Sequence, residues 1–301
     1  MSAASVTIVE VGPRDGLQNE AAAISTADKI ELVNRLSAAG LAAIEAGAFV
    51  SPRWVPQMAD AEGVFAGITQ DPRVRYTALV PNLAGLERAR VAGVREVAIF
   101  AAASQTFSQR NINQTIETSL ESYAAVCARA RELGMRVRAY LSTAFGCPFE
   151  GDVPVSRVAD VAGRLIEIGA FEVAISDTIG IAHPGQVPRV VGAVAGRIAL
   201  DRIALHFHDT RGTALANVLA ALGLGIRTFD ASCGGLGGCP YAPGATGNLA
   251  TEDLVYMLNG LEVETGVDLA ALVSASAFIE GRVGHPLPSR YYRAEAARTR
   301  S

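Results

Sequence analysis

Basic charge is scarce in this sequence, and its scarcity excludes several classes of protein. The 301-residue chain has 26 lysines and arginines against 30 acidic residues, and only Lys29 is a lysine. The net charge of -4 and the lack of basic runs, apart from a weakly basic tail, argue against nucleic-acid and membrane partners. A single lysine also disfavours hydrolases that bridge two metal ions with a modified lysine.

Cysteine and long apolar runs are also scarce. Four cysteines without CxxC spacing fit neither a disulfide scaffold nor a structural zinc site, and they are typical of a reducing cytosol. No apolar stretch reaches the roughly 18 residues of a membrane span without a charge or a breaker. The start of the chain lacks the basic region of a cleavable signal. We therefore expect a cytoplasmic protein.

Short β-branched runs alternate with helical periodicity along the whole chain, a pattern typical of a parallel sheet. Eight such units fit a closed (β/α)8 TIM barrel better than an open doubly wound sheet, and we expect a single domain over residues 1–301. Catalytic groups should then stand at the carboxyl ends of the strands. The predicted strands are Val6–Val11, Ala42–Ala46, Arg75–Val80, Glu96–Phe100, Arg136–Leu141, Glu172–Ser176, Arg202–Phe207 and Thr228–Ser232.

Apolar residues at helical spacing predict the inner faces of two of the helices between these strands. The predicted faces are Val158, Val161, Leu165 and Ile168 in one helix, and Leu215, Val218, Leu219 and Leu222 in the other.

Polar residues that could carry chemistry stand at the ends of two predicted strands. Arg14 and Asp15 follow the first strand within a Gly-Pro turn. His206 and His208 lie two residues apart in the seventh strand, and because side chains alternate along a strand, both imidazoles point to one side. The pair could be ordinary buried histidines. Strands one and seven come close once a barrel closes, however, and Asp15 then favours a cation site.

The donor types at this site predict the ion. Two imidazoles with a carboxylate oxygen, an amide oxygen and water form a harder set than thiolates, and they suit Mg²⁺ or Mn²⁺, with Zn²⁺ as an alternative. Asn248 is the candidate amide donor, although it could instead cap the helix that follows.

A glycine-rich segment after the eighth strand carries the last candidate groups. The stretch CGGLGGCPYAPGATGNLATED runs from Cys233 to Asp253. Its composition predicts a loop that carries chemistry, and we interpret residues 233–248 as a mobile catalytic loop that presents Cys239. Glu252 follows the loop, where it could also favour the positive end of a helix.

Four segments of the chain closely resemble the 3-hydroxy-3-methylglutaryl-CoA lyase family, a branch of the DRE-TIM metallolyases. They are GPRDGLQNE at 12–20, SDTIG at 176–180, HFHDTRGTALAN at 206–217 and GGLGGCPYAPGATGNLATEDLVYML at 234–258. RDG and HxHD are shared across the superfamily, whereas the glycine loop is specific to the lyase branch. The resemblance covers essentially the whole chain. It implies cleavage of (S)-3-hydroxy-3-methylglutaryl-CoA to acetyl-CoA and acetoacetate.

The resemblance also implies roles for individual residues, an acyl-CoA substrate and a homodimer. Arg14 would stabilise an enolate-like oxygen, and Cys239 would donate a proton during turnover. The implied ligands of the divalent cation are Asp15, His206, His208 and Asn248. Other residues that match polar positions of the family's site are Glu45, Tyr140, Asp177 and Glu252.

Some of these residues have simpler structural interpretations. Glu45 could form a salt bridge that positions Arg14, and Tyr140 could be a half-buried strand aromatic. Asp177 is the preferred general base, with His206 second, and the alternative for Asp177 is an aspartate that stabilises the turn at the strand end.

Two departures from the mammalian members bear on the substrate. Arg211 stands where those enzymes have tyrosine, and Ala21 where they have lysine. A lyase for a longer or differently branched 3-hydroxy-3-methylacyl-CoA is therefore an alternative, although Arg211 could also be a surface arginine at a helix start. From other classes, a metal-dependent barrel hydrolase and a non-catalytic binding barrel are the competing interpretations.

Overall fold

The computed structural model describes residues 5–238 and 247–300. Within these ranges eight parallel strands close into a barrel in chain order, with the last strand hydrogen-bonded to the first. The predicted TIM barrel is thus confirmed, and the ends of each strand differ from the prediction by at most two residues. The strands are β1 Thr7–Glu10, β2 Ala43–Ala48, β3 Arg75–Leu79, β4 Glu96–Ala102, β5 Arg136–Ser142, β6 Glu172–Asp177, β7 Ile203–Phe207 and β8 Thr228–Ala231.

Helices connect the strands and cover the outside of the barrel. In the helix Val155–Glu167 the predicted apolar face is correct, since Val158, Val161 and Leu165 are buried and Ile168, just past the helix, is half-buried. In the helix Ala214–Gly223 the prediction is wrong at Leu219, whose side chain is exposed. The helices are α1 Thr26–Ala38, α2 Ala61–Gly67, α3 Leu83–Val91, α4 Gln105–Ile112, α5 Ile116–Glu132, α6 Val155–Glu167, α7 Val187–Ala195, α8 Ala214–Gly223, α9 Thr251–Gly260, α10 Leu269–Val283 and α11 Arg290–Arg300.

The strands are buried on both faces. Every residue of β2, β6 and β7 is buried, because helices cover one face of a parallel barrel and packed side chains fill the other. Any polar residue in these strands must therefore find a partner inside the protein. Among the described residues, none of the helices has both the length and the apolar character that a membrane span requires.

A single wide turn, Gly12–Gly16, follows β1 and has proline as its second residue. The backbone N–H groups of Arg14, Asp15 and Gly16 all converge on the carbonyl of Val11, at 3.2, 2.7 and 3.1 Å. Turns of this π-helical type are frequent at functional sites. This one fixes Arg14 and Asp15 at the carboxyl end of the barrel.

The segment 248–250 lies between the ends of β7 and β8. Asn248 forms a β-bridge with His208, and Ser232 forms one with Ala250. The N–H of Leu249 donates to the carbonyl of Phe207 at 3.0 Å. The far end of the glycine-rich segment is therefore held by backbone hydrogen bonds beside the histidine strand.

Candidate metal centre and active site

Three of the four predicted cation ligands converge at the carboxyl end of the barrel. Asp15, His206 and His208 each offer a ligand atom, and these atoms all lie within 4.8 Å of one another. Asn248 joins them through its amide group, which donates from Nδ2 to Oδ2 of Asp15 at 2.9 Å. The turn after β1, the strand β7 and the segment beside it thus meet at one point.

Two polar atoms of this group have no partner in the part of the chain that the structure describes. They are Nδ1 of His208 and Oδ1 of Asn248, both buried. An unpaired buried donor or acceptor costs about 1–3 kcal/mol, and a bound cation would satisfy both atoms. Asn248 does not cap α9, whose N-cap is Ala250 without a side-chain hydrogen bond, so the capping interpretation is wrong. The residues present fit a divalent cation.

The protonation states of the group also suit a cation. Burial and the neighbouring ring of His206 lower the pKa of His208 to about 4, which leaves a neutral imidazole at neutral pH. Burial acts to raise the pKa of Asp15, but Arg14 and the two histidines hold it well below its usual value. A neutral imidazole and an ionised carboxylate are the forms that bind metal ions.

A buried charge network beneath the site orients His206, and the sequence interpretation missed it. Nδ1 of His206 lies 3.2 Å from Oδ2 of Asp230. Asp230 accepts two hydrogen bonds from Arg138, at 2.7 and 3.2 Å, and Arg138 donates a third to Glu172 at 2.6 Å. The contact with Asp230 leaves Nε2 of His206 for a cation, in the way that carboxylates orient metal-binding histidines elsewhere.

Arg14 is held on two sides by carboxylates. Its Nε donates to Glu45 and one terminal nitrogen donates to Asp15, both at 2.6 Å. The predicted salt bridge between Glu45 and Arg14 is therefore present. The hydrogen-bond ladder between β2 and β3 shifts register just after Glu45, and such β-bulges are frequent beside active sites. Oε1 of Glu45 is buried and unpartnered among the described residues. The guanidinium also lies 5.5 Å from the ring centre of Tyr140, which is buried rather than half-buried.

Asp177 ends β6 and closes the turn that follows. Its two oxygens accept the N–H groups of Ile181 and Ala182, each at 3.0 Å. In the register with β7, Asp177 pairs with Phe207, whereas Ser176 pairs with His206. Burial raises the pKa of Asp177 to about 6. The turn-stabilising interpretation is thus correct, and the raised pKa of Asp177 also suits proton transfer near neutral pH.

The two positions that depart from the mammalian pattern lie at the surface. Arg211 is exposed, and its guanidinium donates to the carbonyls of Ile179 and Gly180 at 3.1 and 2.9 Å. Ala21 is exposed in an irregular segment. Arg211 therefore braces the turn that Asp177 closes, which ties the two loops after β6 and β7 together.

Glu252 lies beneath the first turn of the glycine-rich segment. It is fully buried and accepts the N–H of Gly234, at 3.0 and 2.9 Å to its two oxygens, and the hydroxyl of Ser276. Burial raises its pKa to about 7. These contacts position the loop base. Cys239, the predicted proton donor, and the rest of residues 239–246 lie outside the described residues.

Glycine is required where the two ends of the loop meet the turn that carries Asp15. At Gly237, with φ of +111°, a Cβ would lie 2.7 Å from Nδ2 of Asn248 and 3.3 Å from Cα of Gly16. A Cβ at Gly247 would overlap the carbonyl of Gly237. A side chain at Gly237 would therefore push Asn248 away from Asp15, and one at Gly247 would force the two ends of the loop apart.

Known proteins resemble this chain over nearly its whole length. The 3-hydroxy-3-isohexenylglutaryl-CoA/hydroxymethylglutaryl-CoA lyase of Pseudomonas aeruginosa is 56% identical, over 97% of this chain and 98% of its own. The crystal structure of hydroxymethylglutaryl-CoA lyase from Pseudomonas aeruginosa has a TM-score of 0.97 and 55% identity, covering 99% of this chain and 100% of that chain. An HMG-CoA lyase from Acinetobacter baumannii, solved with coenzyme A and 3-methylmalate, has a TM-score of 0.92 and 41% identity, covering 96% and 95%.

The family whose sequence pattern matches is described as HMGL-like, and the match spans residues 5–279. This range contains all eight strands of the barrel. It also contains the four residues that meet at the candidate metal centre. The chain therefore belongs to the HMGL-like family.

Proposed function

We propose that this chain is a carbon–carbon lyase that cleaves (S)-3-hydroxy-3-methylglutaryl-CoA to acetyl-CoA and acetoacetate with Mg²⁺ or Mn²⁺. The observation that carries the proposal is the convergence of Asp15, His206 and His208 on Asn248, with two buried atoms left unpartnered among the described residues. A non-catalytic barrel would not need such a costly polar cluster. The names of the Pseudomonas aeruginosa and Acinetobacter baumannii proteins support the substrate.

The proposed cation supplies positive charge that stabilises a negatively charged substrate oxygen. Asp15, His206, His208 and Asn248 would hold it. The ion pair between Asp15 and Arg14, at 2.6 Å, orients the carboxylate. The contact with Asp230 orients the imidazole of His206 in the same way.

Arg14 is the proposed stabiliser of the enolate. Cleavage of the C2–C3 bond leaves the electron pair on C2, conjugated with the thioester carbonyl, while the C3 alcohol loses its proton and becomes a ketone. Glu45 and Asp15 hold the pKa of Arg14 well above its usual value against the effect of burial. The guanidinium is therefore a permanent cation in a fixed orientation, as electrostatic stabilisation of a developing oxyanion requires.

Asp177 is the proposed general base, and a pH profile tests it. Because a base must be deprotonated to act, kcat/KM should rise as the pH increases through about 6, the pKa of this carboxyl. Asp177→Asn should lose this rise and about 10²-fold or more of activity. An unchanged pH profile in Asp177→Asn would show that Asp177 only stabilises the turn and is not the base. His206 is the weaker candidate, since Asp230 occupies one of its nitrogens.

Cys239 is the proposed acid that returns a proton to C2 of the enolate. A thiol with an ordinary pKa near 8.5 is a workable acid at neutral pH. We expect Cys239→Ser to lose about 10²-fold in kcat, because a serine hydroxyl is a far weaker acid, while Mn²⁺ affinity stays the same. Stopped-flow turnover and a Mn²⁺ titration measure the two quantities. Equal turnover in wild type and variant would remove the thiol from the mechanism.

The direct test of the proposed function is an assay for products. Purified protein with Mg²⁺ and a reductant should release acetoacetate and acetyl-CoA in equal amounts from the substrate. The matched control is the same reaction after removal of divalent ions with a chelator. Absence of product with Mg²⁺ present would overturn the proposal, and unchanged activity after chelation would overturn the cation.

One observation favours a second substrate. The relative from Pseudomonas aeruginosa bears the name of a 3-hydroxy-3-isohexenylglutaryl-CoA lyase as well as that of a hydroxymethylglutaryl-CoA lyase. We propose that this chain also accepts a longer substituent at C3. Comparison of kcat/KM for the two thioesters tests this, and no turnover of the isohexenyl compound would restrict the enzyme to the methyl substrate.

We also propose a cytoplasmic homodimer in which residues 1–301 act as one domain. Cys127, Cys147 and Cys233 are free thiols, which supports a reducing compartment. The resemblance to the lyase family supports the dimer. A monomer in sedimentation equilibrium at assay concentrations would contradict the dimer. Two separate unfolding transitions in calorimetry would contradict the single domain. Export of the protein into an oxidising compartment would contradict the cytoplasmic location.

A further inference from the structure

Glu10, the last residue of β1, is a fully buried carboxylate outside the candidate metal centre. None of the cationic side chains in the described ranges forms a salt bridge with it, and its partners are three hydrogen-bond donors. Its Oε1 accepts the N–H groups of Gly12 and Cys233, both at 2.8 Å, and its Oε2 accepts the hydroxyl of Thr251 at 2.7 Å. Burial of a carboxylate in this way is costly unless its hydrogen bonds are made.

The three donors belong to three different segments around the site. Gly12 opens the turn that carries Asp15. Cys233 opens the turn that follows β8, and Thr251 is the first residue of α9, three positions after Asn248. One carboxylate therefore connects the segment of Asp15, the end of β8 and the segment of Asn248.

This connection bears on the cation because the two ligand segments are far apart in the chain. Asp15 and Asn248 are 233 residues apart, yet their side chains meet at 2.9 Å. Ligands must be held to within about 0.5 Å for tight binding. The space around Glu10 allows little adjustment, since a Cβ on Gly12 would lie 2.6 Å from Oε1 of Glu10.

We propose that Glu10 is a positioning residue for the cation site, which fixes Asp15 relative to Asn248 through its hydrogen bonds to Gly12, Cys233 and Thr251. The inference rests on the proposed cation-dependent function. Glu10 touches neither cation nor substrate, and it acts by geometry. Its removal leaves the ligands present and loosens their spacing.

Glutamine and alanine at position 10 separate geometry from charge. Glu10→Gln can keep all three contacts, because the amide oxygen accepts both N–H groups and the Thr251 hydroxyl can turn to accept from the amide nitrogen. We expect Glu10→Gln to bind Mn²⁺ within about 3-fold of wild type and Glu10→Ala to bind about 10- to 100-fold more weakly, as for other residues that support metal ligands. Titration calorimetry with Mn²⁺ alone measures both.

The matched control is Glu96→Gln. Glu96 is a buried carboxylate at the start of β4 that forms a salt bridge with Arg75, and both residues lie at the end of the strands opposite the site. We expect Glu96→Gln to leave Mn²⁺ affinity unchanged, whatever it does to the melting temperature. If folded Glu10→Ala binds Mn²⁺ as tightly as Glu96→Gln does, the inference is wrong. An equal loss in Glu10→Gln and Glu10→Ala would overturn the hydrogen-bond geometry as the cause.

Thr251 provides a milder test should Glu10→Ala fail to fold. Thr251→Val removes one hydroxyl without changing shape and should weaken Mn²⁺ binding about 3-fold or more, whereas Thr251→Ser keeps the hydroxyl and should bind as wild type does. Equal affinities in these two variants contradict the proposal. Wild-type protein that binds no Mn²⁺ would instead overturn the cation site itself, so the two failures are distinguishable.

Discussion

Replacement of Arg14 by lysine is expected to reduce kcat for the proposed cleavage by about 10³-fold with little change in KM. Arginine satisfies Glu45 and Asp15 with two nitrogens, each at 2.6 Å, and still presents a third to the substrate. Lysine has a single ammonium and cannot reproduce this fork. Because the negative charge on the thioester oxygen develops only in the transition state, the loss should appear in kcat.

Steady-state kinetics with saturating Mg²⁺ measures the effect of Arg14→Lys. The matched control is Arg164→Lys, on the outside of the barrel, where the arginine pairs with Glu117 at 2.5 Å. The control should keep wild-type kcat. A reduction of less than about 10-fold in Arg14→Lys would contradict the role in enolate stabilisation, and a rise in KM alone would assign Arg14 to ground-state binding.

Replacement of His208 by alanine is expected to weaken Mn²⁺ binding by about 10³-fold. Loss of a residue that merely supports a metal ligand costs 10- to 100-fold, and His208 is itself a proposed ligand. Its buried Nδ1 has no hydrogen-bond partner among the described residues, so little else in the fold depends on the imidazole. We therefore expect the variant to fold and to keep a melting temperature close to that of the metal-free wild type.

Calorimetric titration with Mn²⁺ tests the loss, and His183→Ala is the matched control because His183 is an exposed histidine outside the cluster. The control should bind as wild type does. Wild-type affinity in His208→Ala would remove His208 from the cation site. A fall in both variants would point to a general effect of histidine loss on the barrel.

The fold could be predicted from the sequence because its strands are buried on both faces. A strand in that position must be a short apolar run, and eight such runs separated by helical patterns leave few architectures. Helix faces were less predictable. Leu219 continues the apolar periodicity of α8 and yet is exposed, because the buried face of the helix is formed by Ala214, Val218 and Ala221.

The parts of the site that depend on alternation and turn geometry were also predictable. His206 in β7 and His208, one residue past its end, lie in one cluster, and Asp15 reaches them because β1 closes the barrel next to β8. Asn248 could not be decided from sequence, since asparagine before a helix has two ordinary uses. The structure excludes the cap, because the N-cap of α9 is Ala250, and a β-bridge holds Asn248 beside His208. Such a bridge is a tertiary contact that no local pattern specifies, and the role of Asn248 as a ligand stays a prediction.

The supporting residues were missed because their partners lie far away in the sequence. Arg138 and Asp230 are 92 residues apart, and Glu10 binds residues more than 200 positions away. A signal did exist, since a charged residue in the middle of an apolar barrel strand has to be paired or hydrogen-bonded. The sequence shows that partners are required, and the fold shows which they are.

The network that orients His206 divides this barrel differently from the usual scheme, in which one rim carries chemistry and the other carries stability. Glu172 is the first residue of β6, Arg138 is the third of β5 and Asp230 is the third of β8. Asp230 lies level with His206 in the ladder between β7 and β8, so the imidazole at the catalytic rim is aligned by a chain of charges that runs down through the barrel to Glu172 at the opposite rim. Redesign of the barrel interior or of that lower rim for thermostability would need to leave these three charges in place, since a more stable barrel without them would hold a misaligned histidine.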